Sequence, residues 1–195
     1  MIDIMGASAL LVLSFPVLAV GMAAVWRASG RPVFFAHRRI GLGGRPFRCW
    51  KLRTMETGAE DRLREDATLR RRHRANGFKL PEDEDPRVIP GTEWLRRTHV
   101  DELPQLLNVL KGEMSLVGPR PVVRDELALY GEAWTVLLSR RPGVVGAWTA
   151  LGAGRPPYPE RAELELDYVR RAGLWTDLTI LLRTLTAPFR RRVGG

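Results

Sequence analysis

A chain of 195 residues is long enough for one domain with a real core and leaves little for a second. Its net charge is +9, and 28 of its 31 basic residues are arginines, which stay charged and grip phosphate two bonds at a time, so anionic partners are favoured: nucleic acid, anionic lipid or a phosphorylated substrate. Cys49 is the sole cysteine, which excludes an intrachain disulfide and a multi-thiolate metal centre, and His37, His73 and His99 stand singly rather than at ligand spacing.

The first element is apolar. Ile4 to Trp26 carries no charge, 23 positions between Asp3 and Arg27. At about 1.5 Å per residue such a helix reaches roughly 35 Å, against a hydrocarbon core of about 30 Å. The opening Met-Ile-Asp lacks the basic n-region of a secretory signal. Pro16 sits near the middle, where it removes a helical hydrogen bond and crowds the carbonyl of Val12, at about 3 kcal/mol in a helix interior. Lipid offers that carbonyl no water, and the Ser14 hydroxyl is a candidate partner. Each half measures about 15–18 Å, half a bilayer, so two topologies fit: a kinked span and a re-entrant helix-break-helix that dips into one leaflet. In both, Arg27, Arg31, Arg38 and Arg39 hold the remainder in the cytoplasm. The expected division is a membrane segment over 1–28 and a cytoplasmic domain over 29–195.

Val33 to Phe35 and Phe47 to Leu52 read as short strands, with Gly41, Gly43 and Gly44 around Leu42 supplying a turn. Thr57 to Ala75 is polar, ends in Arg70-Arg71-Arg72-His73-Arg74, and predicts an exposed, solvated helix. Lys79 to Pro90, with three prolines and four acids, predicts a loop, and Thr92 to Val100 a basic helix. Asp125 to Leu138 and Glu160 to Arg171 show helical periodicity. The last segment, Leu174 to Phe189, gathers Leu174, Trp175, Leu178, Leu181, Leu182 and Leu185 on one side before Arg190, Arg191 and Arg192. That pattern suits an interfacial amphipathic helix on an anionic membrane and equally a core helix.

The stretch DELPQLLNVLKGEMSLVGPRP, Asp101 to Pro121, carries the chemistry. Adjacent carboxylates open it, and an arginine between two prolines closes it. An aspartate near its reference pKa of about 3.9 is ionised at neutral pH and needs no base to act as a nucleophile. Its obstacle is repulsion from a diphosphate, about 4 kcal/mol per charge pair at 4 Å and an effective dielectric near 20. Arg96, Arg97 and Arg120 are cations available to offset it, and magnesium is the usual partner of carboxylate and phosphate oxygens. The bland alternative is an N-cap with first-turn acid ahead of an apolar helix.

In context, RRTHVDELPQLLNVLKGEMSLVGPRP (Arg96 to Pro121) resembles the signature of the bacterial sugar transferases, monotopic polyprenyl-phosphate phosphoglycosyl transferases. The resemblance extends to the Pro16-broken apolar segment with Asp3, to SGRPVFFAHRRIG and KLRTM, to DPRVIPGTEWLRRT (Asp85 to Thr98), to RPGVVGAW, and to ELELDYVRRAGLWTDLTILLRTL. It implies a mostly helical α/β fold with a re-entrant membrane helix, a small cytoplasmic catalytic domain and interfacial helices, at the bacterial inner membrane. It also implies a two-step reaction in polysaccharide or glycoprotein assembly. Asp101 attacks the β-phosphate of a UDP-sugar, UMP leaves, and a polyprenyl phosphate (undecaprenyl phosphate) takes the phosphosugar. Glu102 assists beside Mg2+, with Asp101 and Glu102 as the metal carboxylates. Arg120, framed by Pro119 and Pro121, matches a nucleotide-phosphate arginine, Arg96 a second substrate-side arginine, and Lys51 and Arg53 further phosphate partners. The expected partners are donor, lipid acceptor and membrane lipid.

Two departures stand out. Phe15, not serine, precedes Pro16. The family's GLWQVSGR-like stretch reads GAWTALGAG (Gly146 to Gly154), with Thr149 at the glutamine position, Ala153 at the arginine position and Arg155 as a substitute cation. The chain also begins almost at the membrane helix, so it is expected to be the catalytic unit without the additional helices of larger relatives. A rival class of function is a non-catalytic basic protein binding anionic lipid or a partner at the membrane surface. Nucleic-acid binding has only the positive charge behind it, with no helix-turn-helix, finger or stacking motif.

Overall fold

The computed structural model describes residues 2–78, 80–81, 84–151 and 156–190, excepting the side chains of 151 and 185–190. The fold is mostly helical α/β. Helix α1 (Ile2–Ser29) precedes strands β1 (Phe34–Ile40) and β2 (Pro46–Leu52), a two-stranded sheet joined through a 3-10 turn at Leu42–Gly44. Helices α2 (Ala59–Glu65), α3 (Ala67–Ala75) and α4 (Glu93–Arg97) follow, then a 3-10 turn at Val100–Glu102 and α5 (Gln105–Leu110). Strand β3 (Ser115–Val117) pairs in parallel with β4 (Gly143–Val145), in register Ser115 to Gly143 and Val117 to Val145. Between them lie a 3-10 segment (Arg124–Ala133) and α6 (Trp134–Leu137), and α7 (Glu160–Arg171) and α8 (Leu174–Arg190) complete the chain.

Two compact units share these elements. The first comprises Ala9–His37 and Trp50–Gln105, and the second the residues up to Ser8, Arg38–Cys49 and the chain from Leu106 onward. The dividing points fall within α1, β1 and β2.

Helix α1 continues through Pro16 as one helix, where the sequence left a kinked span and a re-entrant helix-break-helix both open. Its 28 residues correspond to about 42 Å, enough to cross a bilayer. Ser14, the candidate partner for the freed carbonyl, does not take that role, because its Oγ is buried without a hydrogen-bond partner among the described residues. Val12, Leu13, Phe15, Val17 and Val20 are exposed, so much of the apolar surface is unused by the protein's own core.

In the first unit, Leu18 and Val25 of α1 pack with Leu52 and Leu95, flanked by Leu11, Met22, Val33, Trp94, Val100 and Leu103. Gly21 makes this close approach feasible. A Cβ there would lie 2.8 Å from Leu52 Cδ1 and 3.2 Å from both Leu95 Cδ2 and Val100 Cγ1. Gly21→Leu is therefore expected to overpack the contact and cost about 1–3 kcal/mol, read as a lower thermal midpoint, whereas Ala23→Leu on the exposed side is neutral. Equal effects of the two would remove the packing argument.

Arg53 fastens the end of α1. Its Nη2 donates to Ser29 O and Oγ, both at 2.9 Å, and to Gly30 O at 3.2 Å, while Nη1 donates to Thr57 Oγ1 at 2.9 Å. A buried cation on the last carbonyls of a helix satisfies orphan acceptors and complements the dipole. The segment after β2 is tied to the loop before α4 by a bridge between Met55 and Val88 and by Ile89 N donating to Thr54 O at 3.0 Å. The predicted helix over 57–75 divides at Asp66, whose Oδ1 accepts from Thr68 N and Leu69 N, each at 2.9 Å, and so starts a new helix. Arg71, Arg72 and Arg74 are exposed, as a solvated face requires.

In the second unit, Val122, Tyr130, Leu137, Leu138, Ala162 and Leu166 form the core. The periodicity over 125–138 becomes a 3-10 segment broken at Gly131 (φ 53°, ψ −139°) and then α6. Helix α7 has its predicted bounds. On α8, Leu174, Trp175, Leu178 and Leu182 are exposed, while Ile180 is buried; Leu185, Arg190, Arg191 and Arg192 lie outside the described side chains.

Candidate active site

Thr92 fixes the approach to the carboxylate pair. Fully buried, it donates from Oγ1 to Ile89 O at 2.7 Å, at the start of α4. After α4 the chain turns at His99, whose left-handed backbone (φ 59°, ψ 17°) admits the single 3-10 turn of Val100, Asp101 and Glu102. Glu102 N donates to His99 O at 3.0 Å and Leu103 N to Val100 O at 3.2 Å, closing that turn. Asp101 thus lies in a separate turn ahead of α5, not in that helix's first turn. Val100 packs in the core beside α1 and so anchors the pair from one side.

Asp101 is buried, at 5 % exposure. Its carboxyl is pushed up to about 6, chiefly by burial. Lys51 opposes this, Glu102 adds to it, and Arg96 and His99 oppose it more weakly. The sequence expectation of an ordinary carboxylate is therefore corrected: Asp101 is an anion held at a cost, still mostly ionised at neutral pH. Lys51 Nζ, on β2, donates to Glu102 Oε1. Arg96 Nη1 donates to Thr54 Oγ1 at 3.3 Å, and its Nε is buried without a hydrogen-bond partner among the described residues.

Asp101, Glu102, Lys51, Arg53 and Arg96 all belong to the first unit. The structure brings Lys51 against Glu102 and places the charges of Lys51 and Arg96 where they act on Asp101. The Nη groups of Arg53 are occupied at the end of α1 and by Thr57, and its Nε is buried without a hydrogen-bond partner among the described residues. As for a cation site, no group of three metal-ligating side chains occurs among the described residues. Two adjacent carboxylates, one raising the other's pKa, are a hard oxygen donor set suited to a magnesium ion that keeps water and phosphate oxygens as its other ligands.

Pro119 and Arg120 belong to the second unit, directly after β3. A Cβ on Gly118 would meet Arg141 O at 2.5 Å and one on Gly143 would meet Gly118 N at 2.0 Å, so only glycines allow this backbone crossing. Gly143 N donates to Pro119 O at 2.9 Å, and Arg39 Nη1 donates to Pro121 O at 3.1 Å, which pins both prolines. The charge of Arg120 bears on the buried carboxylates Glu126 and Glu165. In the altered stretch, Thr149 Oγ1 donates to Gly146 O at 2.6 Å and accepts from Gly146 N at 2.9 Å, closing a local turn. Gly152, Ala153 and Arg155 lie outside the described residues.

Sequence reasoning missed the buried fork of Asp85 and Arg87. Arg87 Nε and Nη2 donate to the two Asp85 carboxylate oxygens, both at 2.8 Å, and Arg87 N donates to Oδ1 at 3.1 Å. The available signal was Asp-Pro-Arg, which puts the two side chains two residues apart across a turn.

The sequence profile described as Bacterial sugar transferase matches residues 1–191. The chain is 41% identical over 193 residues to the exopolysaccharide production protein ExoY of Rhizobium meliloti (strain 1021), covering 95% of this chain and 82% of that protein. It is 36% identical over 192 residues to the undecaprenyl-phosphate galactose phosphotransferase of Salmonella typhimurium (strain LT2), covering 97% of this chain and 40% of the relative. To the UDP-glucose:undecaprenyl-phosphate glucose-1-phosphate transferase of Escherichia coli (strain K12) it is 33% identical over 196 residues, covering 96% and 39% respectively. With a buried aspartate beside a cation-paired glutamate in the signature stretch and a match along nearly its whole length, the chain belongs to the bacterial sugar transferase family.

Proposed function

We propose that this protein is a membrane-associated sugar-phosphate transferase that moves a sugar-1-phosphate from a UDP-sugar to undecaprenyl phosphate, releasing UMP. The observation that carries the reading is the buried Asp101, opposed by Lys51 and Arg96, in a family whose relatives are named for that transfer. Helix α1 associates with the bilayer through its exposed apolar side chains, and the exposed Trp175 and leucines of α8 rest at its surface. The basic residues after α1 favour the cytoplasmic face.

An Asp101 oxygen forms a bond to the β-phosphorus of the donor. The bond from that phosphorus to the bridging oxygen breaks, and the electron pair leaves with UMP. An oxygen of the lipid phosphate then attacks the same phosphorus, freeing the aspartate and leaving a diphosphate-linked sugar. No proton needs to move in either displacement, so the demand on the site is electrostatic. Lys51 and Arg96 supply positive charge beside the carboxylate pair, and burial excludes water that would hydrolyse the adduct. Asp101 and Glu102 would hold magnesium, which when bound neutralises phosphate charge. Arg96 and Arg120 are the proposed substrate-phosphate arginines.

The test is UMP release from a panel of UDP-sugars with undecaprenyl phosphate and magnesium, using protein in lipid, with acid quenching during turnover. A phosphosugar adduct on Asp101 is expected; product formed without it, or no UMP from any donor with folded protein, defeats the reading. Lys51→Met provides a second check. Losing the largest charge that opposes burial should lower turnover about tenfold or more and move the acidic limb of the pH–rate profile to higher pH. A lower rate with an unmoved limb would mean that Lys51 does not act through Asp101.

A further inference from the structure

Arg161, on α7 in the second unit, is wholly buried. Its Nε donates to Glu165 Oε1 at 3.3 Å, one helical turn away. Its Nη1 and Nη2 are buried and have no hydrogen-bond partner among the described residues. Removing a guanidinium from water while leaving these donors unused is strongly unfavourable.

The surroundings address the charge but not the donors. The rings of Trp148 and Tyr158 lie 5.3 and 5.2 Å from the guanidinium carbon. Such contacts stabilise the charge but accept no conventional hydrogen bond, so they leave the Nη donors unsatisfied. Two further arginines bear on the same carboxylates: Arg39 Nη1 lies 3.5 Å from Glu126 Oε2, and the charges of Arg120 and Arg161 both act on Glu126 and Glu165. The carboxylates already have acceptor roles. Glu126 Oε2 takes Val123 N at 3.0 Å, and Glu165 Oε2 takes the Tyr130 hydroxyl at 2.9 Å. Glu165 engages Arg161 only at Nε, so the two Nη groups stay unmatched among the described residues and present a paired donor edge that an anion would complete.

We propose that Arg161 is a phosphate-binding residue whose two Nη groups engage, edge-on, the oxygens of a phosphate carried by a substrate; the substrate's identity rests on the transfer reading above. The ligand chemistry is a phosphate dianion, and it has two sources, the nucleotide and the polyprenyl phosphate. Planar two-pronged recognition of phosphate is the task for which arginine and lysine are not interchangeable.

The experiment measures equilibrium binding of UMP, uridine, inorganic phosphate and undecaprenyl phosphate to the full chain in lipid nanodiscs, without a donor and so without turnover. Arg161→Lys is expected to weaken at least one phosphate ligand about tenfold or more while leaving uridine unchanged. Loss for UMP alone assigns the donor side, loss for undecaprenyl phosphate alone the acceptor side, and loss for all phosphates a shared subsite. Binding of every phosphate within about twofold of the wild type, or parallel loss of uridine and UMP, overturns the proposal. As a check that needs no variant, hydrogen exchange of the first turns of α7 in the wild type should slow on adding UMP, inorganic phosphate or the lipid phosphate. No protection from any of them also overturns it. A protein that shows the Arg161 effect yet releases no UMP from any UDP-sugar would sink the transfer reading and leave this one standing.

Discussion

Asp101→Asn is expected to abolish sugar-phosphate transfer while raising thermal stability at neutral pH. Loss of the nucleophile should lower UMP release by on the order of 10⁴-fold or more. The stability effect has the opposite sign because burial pushes the folded carboxyl up to about 6, above its ordinary value of 3.8. Folding thus favours the protonated form, a contribution fully present below pH 3.8 and lost as pH rises through about 6. At pH 7.5 the wild type carries a buried anion that the amide replaces without charge, a gain on the order of 1–3 kcal/mol. Thermal unfolding in metal-free buffer should show the variant above the wild type at pH 7.5 and the gap closing toward pH 4. A variant less stable than the wild type throughout would mean that the surrounding cations outweigh burial. The rival non-catalytic reading expects the substitution to leave the protein's role intact.

Arg87→Ala is expected to be the most destabilising single change in the first unit. Asp85 and Arg87 are both buried, and three hydrogen bonds run to one carboxylate. Burial works to raise the Asp85 carboxyl, and the hydrogen bonds and charge of Arg87 outweigh it, leaving it below its ordinary value. Stability from this pair is therefore present above pH 3.8 and lost as pH falls through the lower folded value. Removing the arginine alone strands a buried anion, at about 3–5 kcal/mol. The double variant Asp85→Asn with Arg87→Met should recover much of that loss, because no uncompensated charge remains. A single and a double variant equally unstable in denaturant titration would refute the account. Turnover should fall with stability, since Arg87 O accepts from Glu56 N at 2.9 Å in the segment that continues β2, the strand bearing Lys51.

Local patterns account for what could be read from the residue order. The apolar run of α1, the strand pair with its glycine turn, the bounds of α7 and the start of α8 each depend on neighbours within one or two turns. The Asp101-Glu102 pair and Arg120 were likewise legible as chemistry, because the ordered motifs around them resemble one family. Local pattern failed where a competing local bond intervened. Asp66 caps a new helix inside the predicted one, and Gly131 breaks the next.

The sequence by itself determined the apolar helix, which depends on composition along one stretch of chain, and the family, through its resemblance to ordered motifs; the same motifs pointed to the residues proposed for phosphate chemistry. Only the tertiary structure decided what those residues do with their charge. Lys51 reaches Glu102 from 51 positions away, the Arg53 Nη2 group is taken up by the end of α1, Arg161 is buried with two nitrogens unmatched among the described residues, and Asp101 becomes a costly anion. Burial and opposing charge act through space and fall off with distance, so they cannot be computed until distant segments are brought together.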